Sequence, residues 1–381
     1  YSEFGGEIDQ LLLMVQTKGP EIITNFCNGI TQKLPLLIAQ GATLIQNLLS
    51  AITANIPALV SGGVQIISGL VTGIAQQLPQ LIPAALQMIL TLVQALISNA
   101  PQLISAGLLY DGDAWDLVLA GRPVTHTIPL ATVLTLPATG SEMNSGAVIS
   151  RHETKEKYPF YSNYPLFSIL DPEVTFTLPP HQVACGIADT FVHVMEQYMT
   201  TPGQSRVMDR WAEGILQTLM EIAPKIRENQ HDYQLMSDFM LSATMALNGF
   251  IAMGVSQDWA THMIGHELTA LHGLTHGHTL VIVFPGTLRV LRKAKGDKIL
   301  QYGERVLGIT SGSRDERIDE AIRRTEEFFR SLGLTTRLSE EGIGMETIDE
   351  IERRFNERGV RYGENEDVTG AVAKEILKSS L

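Results

Sequence analysis

Residues 261–278 read THMIGHELTALHGLTHGH, and five of the chain's ten histidines fall there: His262, His266, His272, His276 and His278. The stretch is read as parts of two helices, 257–271 and 277–292, with a break near Gly273. Such a gathering of imidazoles can be solvated decoration, a buried hydrogen-bonded cluster or a metal site. His262 and His266 are four apart, so they share one helix face.

A second stretch narrows the choice. GIADTFVHVMEQY (186–198) sets Asp189 and His193 four apart on another expected helix, where they too share a face. One carboxylate with several imidazoles is a ligand set for Zn²⁺ or Fe²⁺. A divalent ion beside one carboxylate leaves a charge of about +1, which can stabilise an alkoxide or polarise a carbonyl. An isolated Asp-x-x-x-His pair is more often an ion pair or a cap. Five histidines in 18 residues beside such a pair favour the metal. The order His-x-x-x-His-Glu differs from the His-Glu-x-x-His of metalloproteases, so Glu267 carries no protease role.

Around these stretches the chain from Pro180 onward reads as mostly helical. Expected helices run over about 180–199, 204–228, 233–255, 257–271, 277–292, 297–307, 314–332, 346–357 and 367–379. Before them, the β-branched run 128–136 reads as a buried strand, 147–150 as a second and 165–173 as a third. PATGSEMNSG (137–146) lies between the first two. Its small residues let backbone approach a ligand, and their N–H and hydroxyl groups can hold phosphate or ribose.

The first third is of another kind. No Asp, Glu, Lys, Arg or His occurs from Leu34 to Tyr110. Pro35, Pro57, Pro79 and Pro101 recur every 22 residues, over an apolar half-period of 11. Eleven residues in three turns suits helices with a slight right-handed supercoil, and a proline fits a helix's first turn. Gln, Asn, Pro and Gly interrupt every long apolar run, so membrane contact is the less favoured reading. Without a titratable side chain the segment has no acid–base or metal chemistry. Its period and composition resemble the hydrophobic repeats of phage tail tape-measure proteins over about residues 20–109.

The whole chain is net −13. Two basic and four acidic side chains precede Leu34, so the part after position 110 holds 26 basic and 37 acidic ones, net −11. An acidic surface disfavours nucleic acid. Cys27 and Cys185 make no disulfide framework, and a reducing cytoplasm is expected. The chain opens on Tyr rather than Met, with no basic, hydrophobic leader, so a fragment or processed product is expected.

Three long stretches carry a specific resemblance. LTLPATGSEMNSGAVISR, LDPEVTFTLPPHQVACGIADTFVHVMEQY and QDWATHMIGHELTALHGLTHGHTLVIVFPG resemble the iron-containing alcohol dehydrogenase family, in its butanol dehydrogenase and NADP-dependent aldehyde reductase branch. The resemblance begins at about Asp111 and includes RYGENEDVT near the end. It implies one divalent metal, Fe²⁺ or Zn²⁺, on Asp189, His193, His262 and His276. It places His266 near substrate as a proton relay. It implies NADP or NAD contacts from Thr135, Thr139, Ser141 and Asn144, and from Lys157, with Lys155 as the competing lysine. His272 and His278 receive no ligand role. The implied reaction is hydride transfer between the nicotinamide and a primary alcohol or aldehyde, in a homodimer.

The family's N-terminal domain carries a Gly-Gly-Gly-Ser turn followed closely by Asp, and no such motif occurs here. The only glycine pairs, Gly5-Gly6 and Gly62-Gly63, lie outside any βαβ context. The expected fold is therefore mostly α. An uncharged helical repeat (1–109) precedes a truncated α/β nucleotide-binding remnant (110–178) and a helical, dehydroquinate synthase-like metal-binding domain (179–381). Impaired cofactor binding is expected. The alternatives are a tape-measure-like structural protein with a degenerate enzyme remnant, or the same fold used as a glycerol dehydrogenase or a dehydroquinate synthase-like lyase.

Overall fold

The computed structural model describes residues 101–381 and isolated helical positions at Gln40, Thr43, Gln46 and Asn47. Almost all of the apolar repeat therefore lies outside the described residues, as do Cys27 and both glycine pairs. The chain divides into two compact units, 1–92 and 93–381, and the described fold is that of the second. Among the described residues no helix is long and apolar enough to cross a membrane.

The second unit opens with α1 (Pro101–Gly107) and α2 (Ala114–Leu119). Four short strands come next: β1 (Ala131–Val133), β2 (Gly146–Arg151), β3 (Glu156–Tyr161) and β4 (Phe167–Ile169). The rest is helical: α3 (Pro180–Tyr198), α4 (Arg206–Glu228), α5 (Tyr233–Leu247), α6 (Ala260–His272), α7 (His276–Val290), α8 (Arg292–Arg305), α9 (Arg314–Ser331), α10 (Met345–Arg358) and α11 (Gly370–Lys378).

Local chemistry sets several helix ends. Ser205, Asp232 and Ser313 each accept a backbone N–H of the helix that comes after, satisfying donors that the first turn leaves unpaired. At α9 the cap is reciprocal: Ser313 holds the Glu316 N–H and the Glu316 carboxylate holds the Ser313 N–H, at 2.8 Å. Ser313→Ala is expected to cost about 1 kcal/mol of stability, read as a shift of the urea midpoint at unchanged slope. Gly273, at φ +70°, ends α6 in the left-handed conformation that a glycine takes without steric cost.

α3 is the axis of the helical part. Every residue from Val183 to Tyr198 is buried, because α4, α5 and α7 surround it. α6 packs on α7, and α10 and α11 close the far side. Two glycines allow the closest approaches. A Cβ at Gly265 of α6 would lie 2.8 Å from Thr279 Oγ1 of α7. One at Gly277 of α7 would meet the Cys185 backbone of α3.

The strands form two separate pairs. β1 runs parallel to β4, with Thr132 opposite Ser168 and their hydroxyls 2.7 Å apart. β2 and β3 form an antiparallel hairpin, with Ile149 opposite Tyr158. A small core of Leu103, Ala106, Trp115, Val118, Ile149 and Phe160 joins the hairpin to α1 and α2. The hairpin also leans on the helices, since β3 packs on α6 and the Arg354 guanidinium donates to the Lys155 carbonyl (2.9 Å).

The elements depart from expectation in a few places. The strand expected over 128–136 is reduced to 131–133, between Pro129 and Pro137, and that over 165–173 to 167–169. β3 is not expected from the sequence, because Pro159 falls in its middle and removes a ladder donor; it is tolerated on a strand paired on one side only among the described residues. The helix expected over 233–255 stops at Leu247, where Asn248 and Gly249 (φ +85°) turn the chain. The next starts at Ala260 rather than 257, and α8 begins at Arg292 rather than 297.

Candidate metal centre

α3 contributes Asp189 and His193, both buried, one turn apart as their spacing predicts. α6 contributes His262 from its first turn, and α7 contributes His276 as its first residue, just past the Gly273 break. These side chains converge. Asp189 Oδ1 lies 3.5 Å from His193 Nε2, 3.6 Å from His262 Nε2 and 3.9 Å from His276 Nε2. Asp189, His262 and His276 each present one ligand atom, all within 4.8 Å of one another. The His193 ring stacks on that of His262, with centroids 4.6 Å apart.

The donor set fits a cation. Asp189 Oδ1 and His262 Nε2 are buried without a hydrogen-bond partner. A buried polar atom left unpaired costs about 1–3 kcal/mol, and one ion between them would satisfy both. Burial opposes ionisation of Asp189, yet His193, His262 and Lys157 outweigh it and hold the carboxyl below its usual range. Burial pushes His193 down to about 4 and His276 well below the ordinary imidazole value. Both are therefore neutral, the state in which imidazole ligates a metal. His262 behaves differently. Burial would lower it, but the Glu196 and Asp189 carboxylates on either side raise it to about 9.

His266 sits beside the cluster, its ring 4.9 Å from that of His276 and 6.3 Å from that of His262. It is buried, and neither ring nitrogen has a hydrogen-bond partner. Burial, then Lys157 and the neighbouring imidazoles, keep it neutral. Lys157 on β3 is half-buried. Burial lowers its ammonium to about 8, and the Asp189 carboxylate opposes the shift. Lys155 is exposed, at φ 52° in the hairpin turn.

The other anticipated residues lie on the turn between β1 and β2. Thr135 and Thr139 are exposed, and Ser141 is half-buried. Asn144 uses its side chain within the fold: Nδ2 donates to the Thr139 and Leu247 carbonyls (2.9 and 3.0 Å), and Oδ1 accepts the Gly146 N–H (3.1 Å). His272 is exposed and bonds Thr347, whereas His278 is buried on Thr335. Glu267 accepts from Arg354 and Arg358.

Sequence reasoning passes over Glu196. This buried carboxylate bonds the ring of His262 and lies on the same stripe of α3 as Asp189 and His193. A signal is present in its spacing, seven residues after Asp189, but it is a spacing of four that marks two ligands of one ion on a helix.

The chain has known relatives. Residues 183–381 match the C-terminal domain of the Fe-containing alcohol dehydrogenase family, and residues 102–172 match iron-containing alcohol dehydrogenase. The chain is 49% identical over 272 residues to the NADPH-dependent aldehyde reductase YqhD of Escherichia coli, covering 70% of each chain. It is 39% identical over 279 residues to the probable NADH-dependent butanol dehydrogenase 1 of Bacillus subtilis, covering 72% of each. Among solved structures, E. coli YqhD superposes with a TM-score of 0.72 at 48% identity, over 74% of this chain and 73% of that one. NADH-dependent butanol dehydrogenase A of Thermotoga maritima superposes at 0.70 with 32% identity, over the same shares. The sequence match runs through the strands and the helices that carry the aspartate and the histidines, and the chain belongs to the iron-containing alcohol dehydrogenase family.

Proposed function

We infer that this chain interconverts a primary alcohol and its aldehyde by hydride exchange with NADP or NAD, using one Fe²⁺ or Zn²⁺ held by Asp189, His193, His262 and His276. The observation that carries the reading is the convergence of three imidazole nitrogens on one buried Asp189 oxygen. The E. coli relative's name, an NADPH-dependent aldehyde reductase, and the B. subtilis relative's, a probable NADH-dependent butanol dehydrogenase, support the substrate class and the nicotinamide.

When bound, the ion supplies Lewis acidity toward the substrate oxygen and the nicotinamide supplies or takes the hydride. Asp189 gives the site its single ligating negative charge, and the neutral imidazoles of His193 and His276 add donors without adding charge. Asp189, His193 and His262 are buried at this point and His276 is partly buried, which limits water at the site and strengthens each electrostatic interaction inside. His266 is the group to take up and pass on the proton of the substrate oxygen, because its neutral ring adjoins His276 with both nitrogens uncommitted. Lys157 brings a cation to the same side of the cluster, where a cofactor ribose or phosphate would be held.

The isolated protein is expected to hold one equivalent of Fe or Zn by elemental analysis and to oxidise NADPH with butanal. Saturation should require cofactor above the micromolar range, because the glycine-rich turn of the family is missing from this sequence. A metal-free protein that gains neither metal nor activity on adding Fe²⁺ or Zn²⁺ sinks the reading. Nothing in the site supports the structural alternative.

A further inference from the structure

Glu196 joins two helices of the cluster. It lies three residues after His193 and seven after Asp189, so α3 presents all three along one stripe. Its side chain is 2% exposed. Oε1 accepts the Thr261 backbone N–H (2.6 Å), and Oε2 accepts both the His262 backbone N–H (3.3 Å) and His262 Nδ1. Nearby, the Asp258 N–H donates to the Glu196 carbonyl (2.9 Å). Both carboxylate oxygens are thus anchored on the first turn of α6, where unpaired N–H groups and the helix dipole favour an anion.

A helix cap needs only one oxygen on one N–H. Here the carboxylate also reaches the ring. When a cation takes the place of the proton on Nε2, Glu196 keeps the remaining ring proton on Nδ1 and leaves the Nε2 lone pair, which faces Asp189 Oδ1 at 3.6 Å, for that cation. We propose that Glu196 is the positioning residue of the metal centre: its hydrogen bond to His262 Nδ1, braced on the start of α6, fixes the tautomer and rotation of that ring so that Nε2 is presented to the cation. The proposal rests on the reading of Asp189, His193, His262 and His276 as the ligands. Carboxylates behind ligating histidines commonly act this way, and losing one costs about 10–100-fold in metal affinity.

The test titrates metal-stripped wild type, Glu196→Gln and Glu196→Ala with Zn²⁺ against a chromophoric chelator, with folding checked by far-UV circular dichroism. Glutamine keeps an oxygen for Nδ1 but loses the charge, so a loss of about tenfold is expected; alanine loses both, and about 100-fold is expected. Variants that bind Zn²⁺ within twofold of wild type overturn the proposal, even if they melt earlier, because that is the behaviour of a cap alone. A wild type that binds no Zn²⁺ overturns the ligand reading and this proposal with it, so the two failures are distinguishable. A second measurement needs no variant. In wild-type protein with ¹⁵N-labelled histidine, His262 is expected with Nδ1 protonated and Nε2 bound to Zn²⁺. The opposite tautomer overturns the proposal.

Discussion

Asp189→Ala is expected to remove stoichiometric binding of Fe²⁺ or Zn²⁺, with a loss of affinity beyond the roughly 100-fold upper range for a supporting outer carboxylate. Three imidazole nitrogens stand 3.5 to 3.9 Å from one oxygen of this residue, so its removal takes away the centre of the arrangement and not one corner. It also takes away the only carboxylate among the proposed ligands. Drawing a divalent ion out of water into a buried site is costly unless a charge meets it there, and neutral His193 and His276 supply none. Asp189→Asn separates charge from shape. It keeps the volume and one acceptor oxygen, and it is expected to lose the metal nearly as completely as alanine. Elemental analysis of both variants beside wild type decides the matter. A full equivalent retained by the alanine variant would remove Asp189 from the ligand set, and with it the proposed function.

The helical half is legible in the sequence because its signals are local. The caps Ser205, Asp232 and Ser313 and the Gly273 break are side-chain and backbone chemistry within one turn of the helix end they mark. The expected helices therefore fall within a few residues of the observed ones, except where packing overrides the pattern. After Leu247 the apolar periodicity continues through Ile251, which is buried in the main core although the chain is no longer helical. A pattern of burial alone does not distinguish a helix from a turn that packs equally well. The strands are less legible because pairing partners decide them. β1 has three residues because its ladder with β4 runs only from Ala131 to Val133, and β3 exists because β2 accepts it despite Pro159.

At the site, four-residue spacing on α3 places Asp189 and His193 on one face without any tertiary information. Bringing His262 and His276 to them requires the helix packing, which no spacing encodes. The same limit hides Glu196. Its relation to His262 crosses from α3 to α6 over 66 residues of sequence, and only the assembled helices reveal it.

Gly277→Ala is expected to have the largest effect on stability, although it adds one methyl group to a helix, where alanine is normally favoured. The new Cβ would sit 2.8 Å from the carbonyl carbon of Cys185 and 3.1 Å from its Cα, and nearer still to its carbonyl oxygen. These are backbone atoms in the middle of a helix buried on every side, so they have no rotamer through which to yield. α3 and α7 must separate, and overpacking of this kind costs about 3 kcal/mol, roughly a 5 °C fall in Tm for a unit of this size. The damage reaches the site because Gly277 comes directly after His276 and Cys185 lies one turn before Asp189. Displacing either helix moves a ligand, so Zn²⁺ affinity should fall together with Tm. Gly214→Ala is the internal control. That position lies inside α4 with nothing within 4 Å of a built Cβ, and there the change is expected to add about 0.5–1 kcal/mol. Opposite signs at the two glycines, with metal affinity lost only at Gly277, would identify the α3–α7 contact as what holds His276 against Asp189. Equal stability and equal Zn²⁺ binding in wild type and Gly277→Ala would mean that the contact is not close enough to position the ligand.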